Sequence, residues 1–332
     1  MVTDRPPLRV GFLGTGAIAR EHAAAMRHLG HQVVAGCCRT GDSPRWTRFR
    51  TENPGVRWVP DGMALLADDD VDAVVACLPW HETPHWLEKL LESKKPVLLE
   101  KPIALCSAEI RRALSRNREL SANKMVGYNR RFYETVGKLR ERLGARDLRS
   151  AEVTLSEQVA ATVQEYGEAV VPHCLAVTAS SHLLDLATHL LGPLKIIRLW
   201  RSQCPYGAHN FVACNGVLQT ADGTPVFLAL NEEDPANLGL RLRFDDHTIW
   251  HLSPLETLSV YAGMEVDAPV PGRTIRRYRP KVIDRLTVNT GFKPGFIAQA
   301  KSFLNGVPGI AATVLESAEL LALMEDLTQS GD

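Results

Sequence analysis

The tightest constraint on this chain lies in its first thirty residues. Leu8–Leu13 is a short apolar run of β character that breaks at Gly14-Thr15-Gly16-Ala17-Ile18-Ala19 before an alanine-rich helical stretch, Arg20–Leu29. Strand, glycine turn and helix in that order leave few folds open. In this G-x-G-x-x-A string, Gly14 permits the tight turn, Gly16 lets backbone approach a pyrophosphate, and Ala19 lets the helix pack close to the strand. The helix start then offers unbonded N–H groups to phosphate, so Gly14, Thr15, Gly16, Ala17 and Ile18 are the expected phosphate-binding residues. Taken alone, the string is also compatible with a purely structural turn.

Its surroundings favour the nucleotide reading. A second strand is predicted over Gln32–Cys38, a buried one over Ala73–Leu78 before the turn Pro79-Trp80-His81, a helix over Pro84–Glu92 and a further strand over Val97–Glu100. Such alternation predicts a doubly wound parallel sheet, with its binding crevice at the C-terminal strand ends. Leu78, Pro79 and Trp80 join the expected cofactor-binding residues there, and the Trp80 ring can cover the cofactor by stacking. A carboxylate closing the second strand would select NAD(H) through the ribose hydroxyls, whereas arginine accommodates a 2′-phosphate. The sequence at that place is Cys37-Cys38-Arg39-Thr40. Cys38, Arg39 and Thr40 therefore favour NADP(H), with NAD(H) the alternative if Arg39 is merely exposed.

The 332 residues suggest two domains at about 150 residues each. Lys plus Arg and Asp plus Glu balance at 38 each, so no nucleic acid is expected as partner. Seven cysteines, with no C-x-x-C spacing, read as reduced thiols in a cytoplasmic protein. Met1–Arg9 holds no apolar signal core, and no uncharged apolar stretch reaches the ~18 residues of a membrane span, so no membrane partner is expected.

Further along, Leu98-Leu99-Glu100-Lys101-Pro102, then Val126-Gly127-Tyr128-Asn129-Arg130-Arg131-Phe132, then Ser181-His182-Leu183-Leu184-Asp185 closed by Leu190-Leu191-Gly192, and a helix over Leu315–Leu327 occur in register. In these segments the chain resembles the glucose-fructose oxidoreductase and inositol dehydrogenase family, Gfo/Idh/MocA. The resemblance implies a Rossmann domain over 1–125 and a C-terminal α+β domain over 126–332 built on a large, mostly antiparallel sheet. The C-terminal helix is an element that can pack back on the first domain. One sheet face would line the substrate pocket and the other would pair subunits into a homodimer or homotetramer. Strand-like runs agree independently at Ser150–Gln158, Ile196–Arg201, Phe211–Thr220, Val226–Asn231, Gly239–Phe244, Thr248–Leu252 and Leu258–Ala262.

The resemblance also implies the catalytic set: Lys101, His182 and Asp185, with Glu100, Lys101, Asn129 and Arg130 beside the cofactor. Oxidising an alcohol needs a base for the hydroxyl proton while hydride leaves the same carbon. Lys101 at a strand end can polarise that oxygen; an ion pair with Glu100 is the plainer alternative. On a helix predicted over Thr178–Leu191, His182, Asp185 and His189 stand at i, i+3 and i+7 on one face. Thr178 sits where many polyol dehydrogenases of the family carry another aspartate, and Thr178 and His189 are expected near substrate. A shifted register would make Asp185 and His189 the working pair. Zinc could use this face with His173 or Cys174, but three or four convergent ligands are required and no metal is expected. The expected substrate is a sugar or polyol, with a nucleotide-linked or amino sugar preferred. The rivals are an NAD-dependent glycoside hydrolase of the same fold and a non-catalytic cofactor-sensing regulator; intact Lys101, His182 and Asp185 speak against the regulator.

Overall fold

Short runs such as Ala73-Val74-Val75-Ala76 and Val97-Leu98-Leu99 are apolar at every position because the strands they form are covered on both faces. The computed structural model describes residues 6–117, 119–272, 274–306 and 309–329; the expectation made on Met1–Arg9 falls mostly outside them. The chain divides into two compact units, residues 1–132 with 289–325, and residues 133–288 with 326–332.

In the first unit, β1 (Arg9–Leu13), β2 (Gln32–Cys37), β3 (Arg57–Val59), β4 (Ala73–Ala76), β5 (Val97–Leu99) and β6 (Lys124–Val126) form one sheet in the order β3-β2-β1-β4-β5-β6. Every pairing in it is parallel. The order reverses beside β1, which opens a crevice at its C-terminal end. Helices α1 (Ala17–His28), α2 (Pro44–Glu52), α3 (Gly62–Ala67), α4 (Thr83–Glu92) and α5 (Ser107–Asn117) alternate with the strands.

The unit boundary falls at 132/133, where the sequence reading placed it at 125/126. The 3₁₀ turn Asn129–Phe132 stays with the first sheet, since the Asn129 side-chain amide donates to the Pro294 carbonyl at 2.9 Å. Residues 289–325 return to complete the same core: Phe296, Ala300, Phe303 and Leu304 cluster with Val10, Phe12, Met26 and Leu98. The Arg131 guanidinium, 2% exposed, donates to Glu316 at 3.1 Å, and the backbone amide and hydroxyl of Ser107 both donate to the Glu325 carboxylate, at 2.7 and 2.6 Å.

The second unit holds α6 (Glu134–Leu143), β7 (Leu148–Glu157), α7 (Val159–Tyr166), α8 (Cys174–Val177) and α9 (Ser180–Leu191). After them come β8 (Lys195–Tyr206), β9 (His209–Gln219), β10 (Pro225–Glu232), β11 (Gly239–Phe244), β12 (Thr248–Leu252), β13 (Thr257–Asp267) and β14 (Arg277–Thr287). The eight strands run β14-β13-β12-β11-β7-β10-β9-β8, antiparallel except for β7 with β10. Along β7, Ala151, Val153, Leu155 and Glu157 are buried in alternation, and α9 packs on this face. Register puts Trp200, Val217, Phe227, Glu152 and Arg241 on the opposite, open face.

β14 was not legible in sequence. As an edge strand with nearly every position exposed, Arg-Tyr-Arg-Pro-Lys-Val-Ile-Asp-Arg-Leu-Thr needs no apolar alternation, and its charges and Pro280 discourage pairing with another edge. By length and composition Glu168–Leu191 passes for a membrane span, with Glu168 and Asp185 as its charged residues. It is broken between α8 and α9, and 61% of its most apolar window is buried inside the protein, where it forms a helical layer of the second unit.

Leu98→Ala, in a strand buried on both faces, should lower unfolding stability by about 2–5 kcal/mol, and Ile283→Ala on exposed β14 by about 0.5 kcal/mol or less. Paired thermal or urea unfolding checks this; equal losses would contradict the assignment of core and edge.

Candidate active site

The glycine turn is built by exclusion of side chains. Gly14 has φ +93°, its amide donates to the Cys37 carbonyl at 2.8 Å, and a Cβ there would overlap the Cys77 carbonyl oxygen. The turn is thus wedged between the ends of β2 and β4. Gly16 is the N-cap of α1, with no side-chain cap, no acid in the first helical turn and open space where a Cβ would stand. An uncapped helix start over a glycine turn fits a dinucleotide pyrophosphate on backbone N–H groups alone. Ala17 is exposed, Ile18 half-buried and Thr15 buried against Gly36.

Beyond β2, Arg39 and Thr40 are exposed, and Arg39 makes no ion pair among the described residues. The half-buried Cys38 thiol donates to the Thr40 carbonyl at 3.3 Å. Beneath this loop lies a residue the sequence reading missed: the Trp58 indole N–H donates to the Cys38 carbonyl at 3.3 Å, and its ring leaves no room for a Cβ on Gly41. Only the three-residue strand Arg57-Trp58-Val59 carries it, too short for a periodic signal. Burial, then the neighbouring Cys38 and Asp61, pushes the Cys37 thiol up to about 11, so it stays protonated at neutral pH.

After β4, Leu78 and Trp80 are half-buried and Pro79 exposed; the Thr83 hydroxyl donates to the Trp80 carbonyl at 2.9 Å and closes the turn into α4. At the end of β5 the Glu100 carboxylate faces His22 Nε2 at 2.7 Å through one oxygen and accepts the Lys101 amide at 3.1 Å through the other. The half-buried Lys101 follows, joined to Pro102 by a cis peptide. Asn129 is buried, with its side-chain amide held by Pro294, and Arg130 is half-buried. The strand-end residues expected to hold a cofactor thus gather along one edge of one sheet.

In the second unit, α9 carries His182 and Asp185, both buried and one turn apart on one face, with half-buried His189 a further turn on. The helix predicted from Thr178 starts only at Ser180. Thr178 is extended, at φ −85° and ψ −168°, because its side chain is used across the fold. Its hydroxyl donates to the Glu157 carboxylate at 2.6 Å and accepts the Ser180 amide at 3.4 Å, while its carbonyl accepts the Ser181 hydroxyl at 2.9 Å.

Glu157, at the end of β7 and 2% exposed, is the second residue missed. The signal was present: in Val153-Thr154-Leu155-Ser156-Glu157 the alternation puts a carboxylate at an inward position. Burial, then the Glu157 charge, drives the Cys174 thiol up to about 12. That opposes the thiolate a zinc site would need, and no group of three or more His, Cys, Asp or Glu among the described residues is arranged to hold a metal ion. A histidine and a carboxylate on one helix face suit proton transfer.

Residues 8–128 match the family model GFO_IDH_MocA, an oxidoreductase family with an NAD-binding Rossmann fold. The chain is 35% identical over 137 residues to an inositol 2-dehydrogenase of Acidothermus cellulolyticus, covering 40% of this chain and 39% of that one. It spans about two fifths of the length of the curated relatives it matches. The fold as a whole is shared with two solved structures. A UDP-N-acetylglucosamine 3-dehydrogenase of Acidithiobacillus ferrooxidans has TM-score 0.72 and 19% identity over 98% of this chain and 97% of that one. A 3-ketoreductase of Actinomadura kijaniata in complex with NADP has TM-score 0.69 and 20% identity over 97% of each chain. Over residues 8–128 the chain is thus similar to the Gfo/Idh/MocA oxidoreductase family, and along nearly its whole length it shares the fold of these two solved structures.

Proposed function

We propose that the protein is an NAD(P)-dependent dehydrogenase or reductase that moves hydride between nicotinamide and a secondary alcohol or ketone of a sugar or polyol. Lys101 carries this reading: a lysine follows the end of β5 in the same row of strand ends as an uncapped glycine turn fit for a pyrophosphate. A bound dinucleotide supplies or accepts the hydride. The Lys101 ammonium polarises the substrate oxygen, His182 exchanges its proton, and Asp185 orients and charges the imidazole from one helical turn away. Thr178 and His189 serve substrate placement. Trp80 covers the cofactor, and Asn129 and Arg130 border it.

A nucleotide-linked or amino sugar is the proposed substrate class, supported by the UDP-N-acetylglucosamine 3-dehydrogenase that shares the fold. NADP(H) is the proposed cofactor, supported by exposed Arg39 with no carboxylate at the end of β2. Seven free cysteines support a cytoplasmic setting. A second copy of the chain is proposed to cover the open sheet face, where exposed Trp200 and Phe227 lie among the Arg241–Glu152 and Arg243–Glu152 pairs, at 3.2 and 2.6 Å. Formation of reduced dinucleotide from UDP-N-acetylglucosamine and from myo-inositol, each with NADP⁺ and NAD⁺, tests activity and substrate class together; silence with both under both cofactors would remove the sugar assignment.

NADPH should bind about tenfold or more tightly than NADH, since an arginine–phosphate contact is worth about 1.5–3 kcal/mol, and Arg39→Asp should abolish or reverse the difference. Equal affinities in the parent protein would refute the preference.

Lys101→Ala and His182→Ala should each slow turnover by about two to four orders of magnitude with dinucleotide affinity little changed. His189→Ala should act mainly on KM or stability. A silent His182→Ala beside an inactive His189→Ala would shift the working pair to Asp185 and His189.

Light scattering at micromolar concentration should show a dimer or tetramer, and Trp200→Glu with Phe227→Glu should shift it toward monomer; a monomeric parent protein would refute the pairing.

A further inference from the structure

Glu100 sits in a cage that neither the glycine turn nor the strand pairing requires. Its backbone amide donates to the Ala76 carbonyl at 2.8 Å, which ends the β4–β5 register and turns the side chain inward, where it is 13% exposed. Opposite it, Gly127 donates its amide to the Leu99 carbonyl at 2.7 Å, and a Cβ there would stand 2.9 Å from the Glu100 carboxylate carbon. Burial, then the Glu100 charge, holds the Cys77 thiol well above its ordinary range. One carboxylate oxygen accepts the Lys101 amide at 3.1 Å. The other lies 2.7 Å from Nε2 of His22, whose side chain is 0% exposed and whose ring lies tilted against Phe296 with centroids 4.5 Å apart.

Opposite a carboxylate, Nε2 carries the proton and donates. Among the described residues, Nδ1 of His22 finds no hydrogen-bond partner, so the ring's one polar tie is to Glu100. An apolar ring would fill the space beside Phe296 at lower desolvation cost than a histidine committed to a carboxylate. The pair contributes to no helix or strand ladder. It ends on the backbone of the residue that leaves β5 toward the substrate.

We infer that His22 is a positioning residue for Lys101: by donating Nε2–H to one oxygen of Glu100, it fixes the carboxylate whose other oxygen holds the Lys101 amide, and so sets the direction in which the lysine leaves the sheet. The inference rests on the reading of Lys101 as the group that polarises substrate. His22 touches neither substrate nor dinucleotide in this role. Its signal in sequence was a single histidine on the inner face of an alanine-rich helix, where a core histidine is the ordinary expectation.

The test uses His22→Phe, which keeps the ring against Phe296 and removes the donor, and His22→Gln, which restores an N–H near the position of Nε2. Lysines are reductively methylated with ¹³C, and the Lys101 resonance is assigned by its loss in Lys101→Arg. His22→Phe should move that resonance and slow turnover of UDP-N-acetylglucosamine or myo-inositol by about 100-fold, the scale of an ångström-sized misplacement, with KM and NADPH affinity within about threefold of the parent protein. His22→Gln should return both readings toward the parent values. Should His22→Phe fail to fold, Glu100→Gln, which keeps the side-chain volume, should move the Lys101 resonance in its place. An unmoved Lys101 resonance in folded His22→Phe overturns the inference, and so does a loss of turnover that follows NADPH affinity. A fully active Lys101→Ala would instead overturn the functional reading of the lysine, while the resonance still reports whether His22 positions it.

Discussion

A missing Cβ fixes the nucleotide-binding edge of this protein. At Gly14 the backbone must adopt φ +93° and pass against the Cys77 carbonyl, and no L-side chain satisfies both demands. Once that turn is made, β1 lies hydrogen-bonded between β2 and β4, α1 starts uncapped over the crevice, and the ends of β2, β4 and β5 fall into one row. Arg39, Trp80 and Lys101 are far apart in sequence and come to follow strands of one sheet, at the same edge, only because those strands are held in that register.

The legible part of the site is the part written in local chemistry. Gly14, Gly16 and Ala19 follow from what a tight turn and a close helix require, and Glu100-Lys101-Pro102 follows from its place after an apolar strand. What escaped is carried by contacts between residues remote in sequence. Trp58 acts twenty residues after Cys38 through one indole N–H. Glu157 meets Thr178 across twenty-one residues, and that hydrogen bond, together with an extended backbone, is why a helix expected from Thr178 begins at Ser180. His22 reads as core until its partner is seen 78 residues away. Periodicity reports which face of an element is buried, and it is silent about which buried polar group meets which.

The second unit shows the same division. β7 and β11 alternate in burial, because one face must stay apolar for α9 while the other carries Glu152, Arg241 and Arg243. β14 disclosed nothing, because an exposed edge strand is under no pressure to alternate. The parallel pairing of β7 with β10 inside an otherwise antiparallel sheet is likewise a matter of connection rather than composition.

The first unit is discontinuous along the chain, and this bears on how the protein is born. Phe296, Ala300, Phe303 and Leu304 complete a core begun by Val10 and Phe12, and Glu316 and Glu325 supply the partners of Arg131 and Ser107. A ribosome releases the glycine turn first, yet the apolar surface behind it waits for residues made nearly three hundred codons later. Vectorial synthesis therefore cannot finish the N-terminal unit on its own schedule. The nascent chain must shield that unfilled core until Phe296–Leu304 have been made, and truncations that remove them while sparing every residue of the crevice would still leave it open.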